Sequence, residues 1–88
     1  MHNTKQVYYN QVRGEIIEVI DTANFPSIVL EVGHENKRFV NICFKSEMLK
    51  KLLESYKLGD FVTIKFFVSS RFKHGRWYTM ANALEIIE

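Results

Sequence analysis

The stretch FVTIKFFV at residues 61–68 restricts the fold of this chain more than any other segment. Val62, Ile64, Phe66 and Val68 alternate with Phe61, Thr63, Lys65 and Phe67. A period of two belongs to a strand with one buried face, so the first set is expected inward and the second outward. Phe67 therefore falls on a face where no core calls for a large ring. A short turn follows, with Arg71, Lys73, His74 and Arg76 set around Gly75 and with Phe72, Trp77 and Tyr78 between the charges. From Phe61 to Leu84 the chain holds Lys65, Arg71, Lys73 and Arg76 but no Asp or Glu. Cations hold phosphates and flat rings stack on bases, so a hairpin of this composition can do both. Strands are rich in aromatics for other reasons, and hairpin tips are commonly charged because they are solvated. By itself the hairpin fits either reading.

With 88 residues the chain makes one domain, a little longer than those that need metals or disulfides to hold together. Ordering it costs on the order of 100 kcal/mol of conformational entropy. A hydrophobic content of 47% offsets that cost only if it is patterned, as it is here. The single cysteine, Cys43, permits no internal disulfide and favours a reducing, intracellular setting, although a secreted protein can also lack disulfides. The N-terminal residues lack the apolar centre of a signal peptide, and no run approaches the roughly 18 apolar residues of a membrane span. A net charge of +2 decides nothing, but its distribution does. The excess of Lys and Arg over Asp and Glu lies entirely in the second half, a modest positive field of the kind that attracts a polyanion.

Along the chain, residues 1–10 read as a loosely held arm carrying Tyr8 and Tyr9, ahead of a domain at residues 11–88. Residues 11–20 form a first strand, with Gly14 marking a bulge or bend and the adjacent Ile16 and Ile17 breaking strict alternation. Residues 21–26, DTANFP, have turn chemistry. Residues 27–32 make strand two, with Ile28, Leu30 and Val32 on one face. Residues 33–36 make a hairpin loop, and residues 37–44 make strand three. Val40, Ile42 and Phe44 point inward there, while Phe39, Asn41 and Cys43 point out. Residues 46–56 are the one clear helix. Ser46 is its expected N-cap, and Met48, Leu49, Leu52, Leu53 and Tyr56 form its apolar stripe. Glu47/Lys51 and Lys50/Glu54 are opposite charges four apart on its wet side. Leu58-Gly59-Asp60 turns into strand four, with Gly59 in a left-handed conformation. Strand five spans residues 77–87. The adjacency of Ile86 and Ile87 predicts a bulge near Leu84.

The order is β-β-β-α-β-β, an all-β chain with its helix between strands three and four. Five strands closing on a small core with a helix at the open end is the oligonucleotide/oligosaccharide-binding (OB) fold. A different small barrel, or an open sheet with one helix on its face, is the competing arrangement. Three segments sharpen the reading: Gly14-Glu15-Ile16-Ile17, Leu58-Gly59-Asp60, and Gly75-Arg76-Trp77-Tyr78-Thr79 with Ala83. Across residues 11–87 the chain resembles the small stand-alone OB-fold proteins of the single-stranded-DNA-binding type found in Bacteroidetes and their phages, a domain family of unknown function. The last segment is the most specific, since leucine-glycine-aspartate turns occur in many OB domains. The resemblance implies binding of single-stranded DNA in replication, recombination or repair. Bacterial proteins of this type typically carry a tail with an acidic tip that recruits partners. This sequence ends at Ile86-Ile87-Glu88, so recruitment of that kind is not expected.

No catalytic constellation is visible. His2, His34 and His74 are separated from one another, no zinc-ligand spacing occurs, and neither a glycine-rich phosphate cradle nor a nucleophile motif is present. The chain is therefore read as a binding protein rather than an enzyme, with no cofactor. In an OB barrel the outer face of strands two and three and the loops one–two and four–five form the groove. The residues expected to bind nucleic acid are Lys37, Arg38, Phe39, Lys65, Phe67, Arg71, Phe72, Lys73, Arg76, Trp77 and Tyr78. Trp77 and Tyr78 are adjacent in a strand and must point opposite ways, so Trp77 is expected in the core and Tyr78 outside. Phe39 and Phe67 would equally suit burial against the N-terminal arm or a second subunit, and a homo-oligomer is compatible with a binder of this size. An alternative function is an OB-fold assembly module of a replication complex that touches no nucleic acid. An RNA ligand stays open as well, because stacking does not distinguish the sugars.

Overall fold

Strand β1 (Tyr9–Ile20) serves two neighbours, and the rest of the barrel follows from that division. Its first half, Tyr9 to Glu15, pairs with β4, and its second half, Glu15 to Ile20, pairs with β2. In the computed structural model, which describes residues 8–22 and 24–88, the order is β1, β2 (Ser27–Val32), β3 (Arg38–Cys43), α1 (Ser46–Ser55), β4 (Phe61–Lys73) and β5 (Arg76–Ile87). The strands close into a barrel in the order β1-β2-β3-β5-β4. This is the five-stranded OB barrel. Closure rests on a short parallel contact, Ile42 beside Ala81 and Cys43 beside Asn82. Residues 1–7 of the expected arm lie outside the described residues. Tyr9 and Asn10 belong to β1, because they pair with Phe67 and Phe66.

The change of partner along β1 needs both of its irregularities, though not as the sequence suggests. The bulge sits at Ile17, where pairing steps from Ile16 opposite Leu30 to Glu18 opposite Val29. Gly14 has a different role. A β-carbon there would lie 2.7 Å from the Glu31 carbonyl oxygen and 2.7 Å from Val32 Cγ1. Glycine thus admits the end of β2 against β1 at the point where β1 passes from one partner to the other. A second bulge lies at Leu84, as the adjacent isoleucines predict. Pairing runs from Lys65 opposite Glu85 to Phe66 opposite Ala83 and leaves Leu84 over. The extra residue resets the phase, so that Ala83 and Ile86 can both pack against the core.

That core contains Ile16, Ile28, Leu30, Ile42, Phe44, Val62 and Ile64 from the strands and their ends, and Leu49 and Leu52 from α1. Each such side chain contributes about 1.5–3 kcal/mol when fully buried. The apolar stripe of α1 is narrower than its spacing implies: Met48 and Tyr56 pack at the margin, and Leu53 is exposed. The N-cap is Lys45 rather than Ser46. Ser46 already has helical geometry, and no side chain caps the first turn. Neither ion pair expected along the helix forms. Among the described residues the salt bridge is Lys37 Nζ to Glu31 Oε1 at 3.3 Å. After the helix, Gly59 adopts φ +94°, and the turn is closed from both sides. The Asp60 amide donates to the Lys57 carbonyl at 3.0 Å, and the Lys57 amide donates to Asp60 Oδ2 at 2.9 Å. Two further bonds stitch this turn to β1, from the Gly59 amide to the Ile16 carbonyl and from the Ile16 amide to the Asp60 carbonyl.

The last β1–β4 pair is Tyr9 with Phe67. Beyond it, among the described residues, β4 pairs only with β5, and from Val68 on the β4 strand leaves the barrel with β5 residues up to Met80 as a two-stranded ribbon. Two core expectations fail for that reason. Val68 keeps the inward phase of Ile64 and Phe66 but is 53% exposed, and Trp77 is 68% exposed rather than buried. Among the described residues no layer of the barrel faces either of them.

Candidate nucleic-acid interface

The ribbon ends in a two-residue turn. Lys73 pairs with Arg76, and the residues between them, His74 and Gly75, have φ of 53° and 78°. Two successive positive φ values are those of a type I′ turn, whose twist matches that of the strands it joins. Glycine takes this conformation freely, and histidine is among the residues that tolerate it. Side-chain bonds tie the strands on both faces. Ser70 Oγ and Thr79 Oγ1 lie 2.9 Å apart, and Asn82 Nδ2 donates to Ser69 Oγ at 2.9 Å.

Residues directly opposite one another share a face, so the register assigns every side chain of the ribbon. Arg71 stands opposite Tyr78, Lys73 opposite Arg76, Ser69 opposite Met80, and Phe67 opposite Asn82. These eight continue the outer surface of the barrel. The other face carries Val68 with Ala81, Ser70 with Thr79, and Phe72 with Trp77. The three hairpin cations thus converge on one face together with Tyr78. Phe72 and Trp77 do not join them.

The outer face of the ribbon borders a groove. One concavity of about 380 Å³ is lined by Arg71, Lys73, His74, Tyr78, Thr79 and Met80 of the hairpin, together with Phe25 and Cys43. A second, of about 230 Å³, shares Phe25, Cys43 and Met80 and extends past Phe67, Asn82 and Lys45. The three shared residues set the two concavities side by side, and together they make up the channel. On its far side the β1–β2 loop is pinned in place: the Phe25 amide donates to Thr22 Oγ1 at 3.3 Å, and the Phe44 amide donates to the Pro26 carbonyl at 2.8 Å. Pro26 and Ser27 are buried, whereas the Phe25 ring between the loop and the channel is 54% exposed. Lys45, Arg71, Lys73 and His74 line the channel, and no carboxylate does. A chain of phosphates would meet only attraction there, with Phe25, Phe67 and Tyr78 as stacking surfaces.

Of the residues expected from the sequence, Arg71, Lys73, Tyr78 and Phe67 border this channel and Arg76 stands on the same face at the tip. Lys37, Arg38 and Phe39 lie elsewhere, at the start of β3. Lys37 is already paired with Glu31, and Glu31 stands opposite both Phe39 and Glu15. A phosphate would meet carboxylates at that end. Lys65 turns toward β1, its Nζ 5.0 Å from the centre of the Tyr9 ring. Arg13 does the same over Phe61, at 5.9 Å, and donates to Thr63 Oγ1 at 3.1 Å. These cation–ring pairs form a separate surface on the β1–β4 side. Phe25, Lys45 and Met80 are functional candidates that sequence reasoning missed. For Phe25 a signal existed: a phenylalanine between Asn24 and Pro26 in a turn has no strand or helix to bury it. Among the described residues no group of three His, Cys, Asp or Glu is placed to hold a metal ion, and no helix is long and apolar enough to cross a membrane.

The chain matches no family model and no curated protein. Its shape, by contrast, is similar to that of solved structures across nearly its whole length. The mitochondrial single-stranded DNA binding protein Rim1 of S. cerevisiae superposes with a TM-score of 0.76 at 12% identity, covering 93% of this chain and 92% of that one. A small single-stranded DNA binding protein from Mycoplasma pneumoniae gives 0.68 at 14% identity, covering 94% of each. One from Streptomyces coelicolor gives 0.56 at 17%, covering 93% and 94%. At these identities the likeness establishes the OB barrel.

Proposed function

We propose that this protein binds single-stranded DNA with little regard to sequence, in replication, recombination or repair, and does so without catalysing a reaction. The observation that carries the proposal is the channel between the β1–β2 loop and the β4–β5 ribbon, which is lined by cations and rings and by no carboxylate. Each base stacked on Phe25, Phe67 or Tyr78 contributes about 1–3 kcal/mol, whatever its identity. Phosphates are held by Arg71, Lys73 and Arg76, with Lys45 at the other end. Three or four such contacts give log K against log salt a slope of about −2 to −3. The shared barrel with proteins named for single-stranded DNA binding supports the same reading. Its setting would be the cytoplasm of a bacterium or of a phage-infected cell. Single-stranded RNA fits the same chemistry, since nothing in the channel is dedicated to the sugar.

Titration of a labelled oligo-dT at two salt concentrations tests the proposal. Binding that weakens with salt at the stated slope supports it, and no binding at low salt by folded protein sinks it. A second reading rests on the β1–β4 side, where Tyr9 and Phe61 are each 56% exposed beside Lys65 and Arg13. That surface suits a second copy of this chain or a replication protein, and the assembly role it implies is compatible with DNA in the channel.

A further inference from the structure

The basic face of the ribbon does not account for Phe72 and Trp77. They stand opposite one another on the reverse face, their ring centroids 5.4 Å apart and their planes at 67°. They are 60% and 68% exposed, and Val68, further along the same face beyond Ser70 and Thr79, is 53% exposed. Large rings bury about 150–250 Å² each, so the pair presents roughly 300 Å². A stable dimer needs about 800 Å² from each partner, which this patch cannot supply by itself. It is, however, the size at which one or two bases stack. Charge points the same way. Of the four residues next to them in sequence three are cations, Arg71, Lys73 and Arg76, the fourth is Tyr78, and the ribbon holds no Asp or Glu. A polyanion that reaches the tip on the channel face meets Lys73 opposite Arg76 there and no repulsion on passing over.

We propose that Phe72 and Trp77 form a second base-stacking station, and that a single strand leaving the channel folds over the hairpin tip between Lys73 and Arg76 to reach it. The inference rests on the channel being the primary site. The strand then grips the ribbon from both faces, and the length of DNA engaged exceeds what the channel alone holds. Short oligonucleotides fill the channel only, and longer ones occupy both stations.

Trp77 is the sole tryptophan and reports directly on the second station. Binding of fluorescein-labelled oligo-dT is followed by anisotropy, and Trp77 emission is read in parallel with unlabelled strands of about 4 and about 16 nucleotides, the range of site sizes of OB folds. The expected result is that both lengths bind but only the longer quenches Trp77. Trp77→Ala then weakens binding of the longer strand about 5- to 150-fold, the equivalent of one lost stack, and leaves the shorter unchanged. Trp77→Phe, which keeps a ring, restores most of the loss. Long strands that bind with unchanged Trp77 emission and with equal affinity for Trp77→Ala overturn the second station while leaving the channel intact. A dimer in sedimentation that Trp77→Ala dissociates, with DNA affinity unaltered, overturns it in favour of a second copy. Failure of both lengths to bind removes the channel reading and this one with it.

Discussion

Arg71 and Tyr78 stand directly across from each other on β4 and β5, so a guanidinium and a phenol ring share one face of a ribbon only two strands wide. Lys73 and Arg76 repeat that side one step nearer the tip. An exposed ring beside unpaired cations offers one nucleotide both of its handles, a surface for the base and a charge for the phosphate.

Removing the charges together separates this arrangement from a solvated tip. The triple variant Arg71→Ala/Lys73→Ala/Arg76→Ala is expected to weaken binding to oligo-dT and to reduce the salt slope by about 2, from three lost contacts at about 0.7 each. Anisotropy across a salt series measures both. An unchanged slope would show that phosphates do not lie along the ribbon.

Phe25 reaches the channel from the opposite bank. Its ring is 54% exposed and absent from the core, so Phe25→Ala should leave the thermal midpoint within a degree or two while costing about 1–3 kcal/mol of binding. Tyr78→Ala should behave alike. If the two rings hold the same base, the double variant loses less than the sum of the single losses. Strict additivity would place them on different bases.

Gly14 carries a stability prediction independent of any ligand. Gly14→Ala puts a β-carbon 2.7 Å from a backbone oxygen of Glu31, an atom with little freedom to move. The strand pairing must shift, and the expected cost is about 1–3 kcal/mol, read as a lower midpoint in urea at unchanged m-value. Wild-type stability in this variant would mean that β1 and β2 do not meet so closely.

The turn before β4 offers a contrasting case. A β-carbon on Gly59 would meet nothing within 4 Å, but φ is +94°. Gly59→Ala is therefore expected to destabilise by about 1–2 kcal/mol through backbone conformation alone. Asp60→Ala, which orphans the Lys57 amide, should cost about 1 kcal/mol. The same urea titration checks both.

Local pattern carried the barrel. Period-two alternation located the strands, and β2 falls at residues 27–32 as that spacing predicts. The doubled isoleucine betrayed the bulge at Leu84. Side-chain phase is a property of a strand by itself, which is why Trp77 and Tyr78 were known to oppose one another. Whether a given phase meets a core is not such a property. Val68 and Trp77 have an inward phase but lie past the last β1–β4 pair, where none of the described residues forms a layer over them. That boundary depends on where a strand about 60 positions earlier in sequence begins. The same holds for the channel: Phe25 belongs to the β1–β2 loop and Arg71 to β4, and closure of the barrel alone brings them to one groove while leaving Phe39 beside the carboxylate of Glu31. Sequence thus determined the elements and their faces, because those follow from neighbours along the chain. Tertiary structure decided which faces are covered and which cations and rings meet, because those follow from neighbours across it.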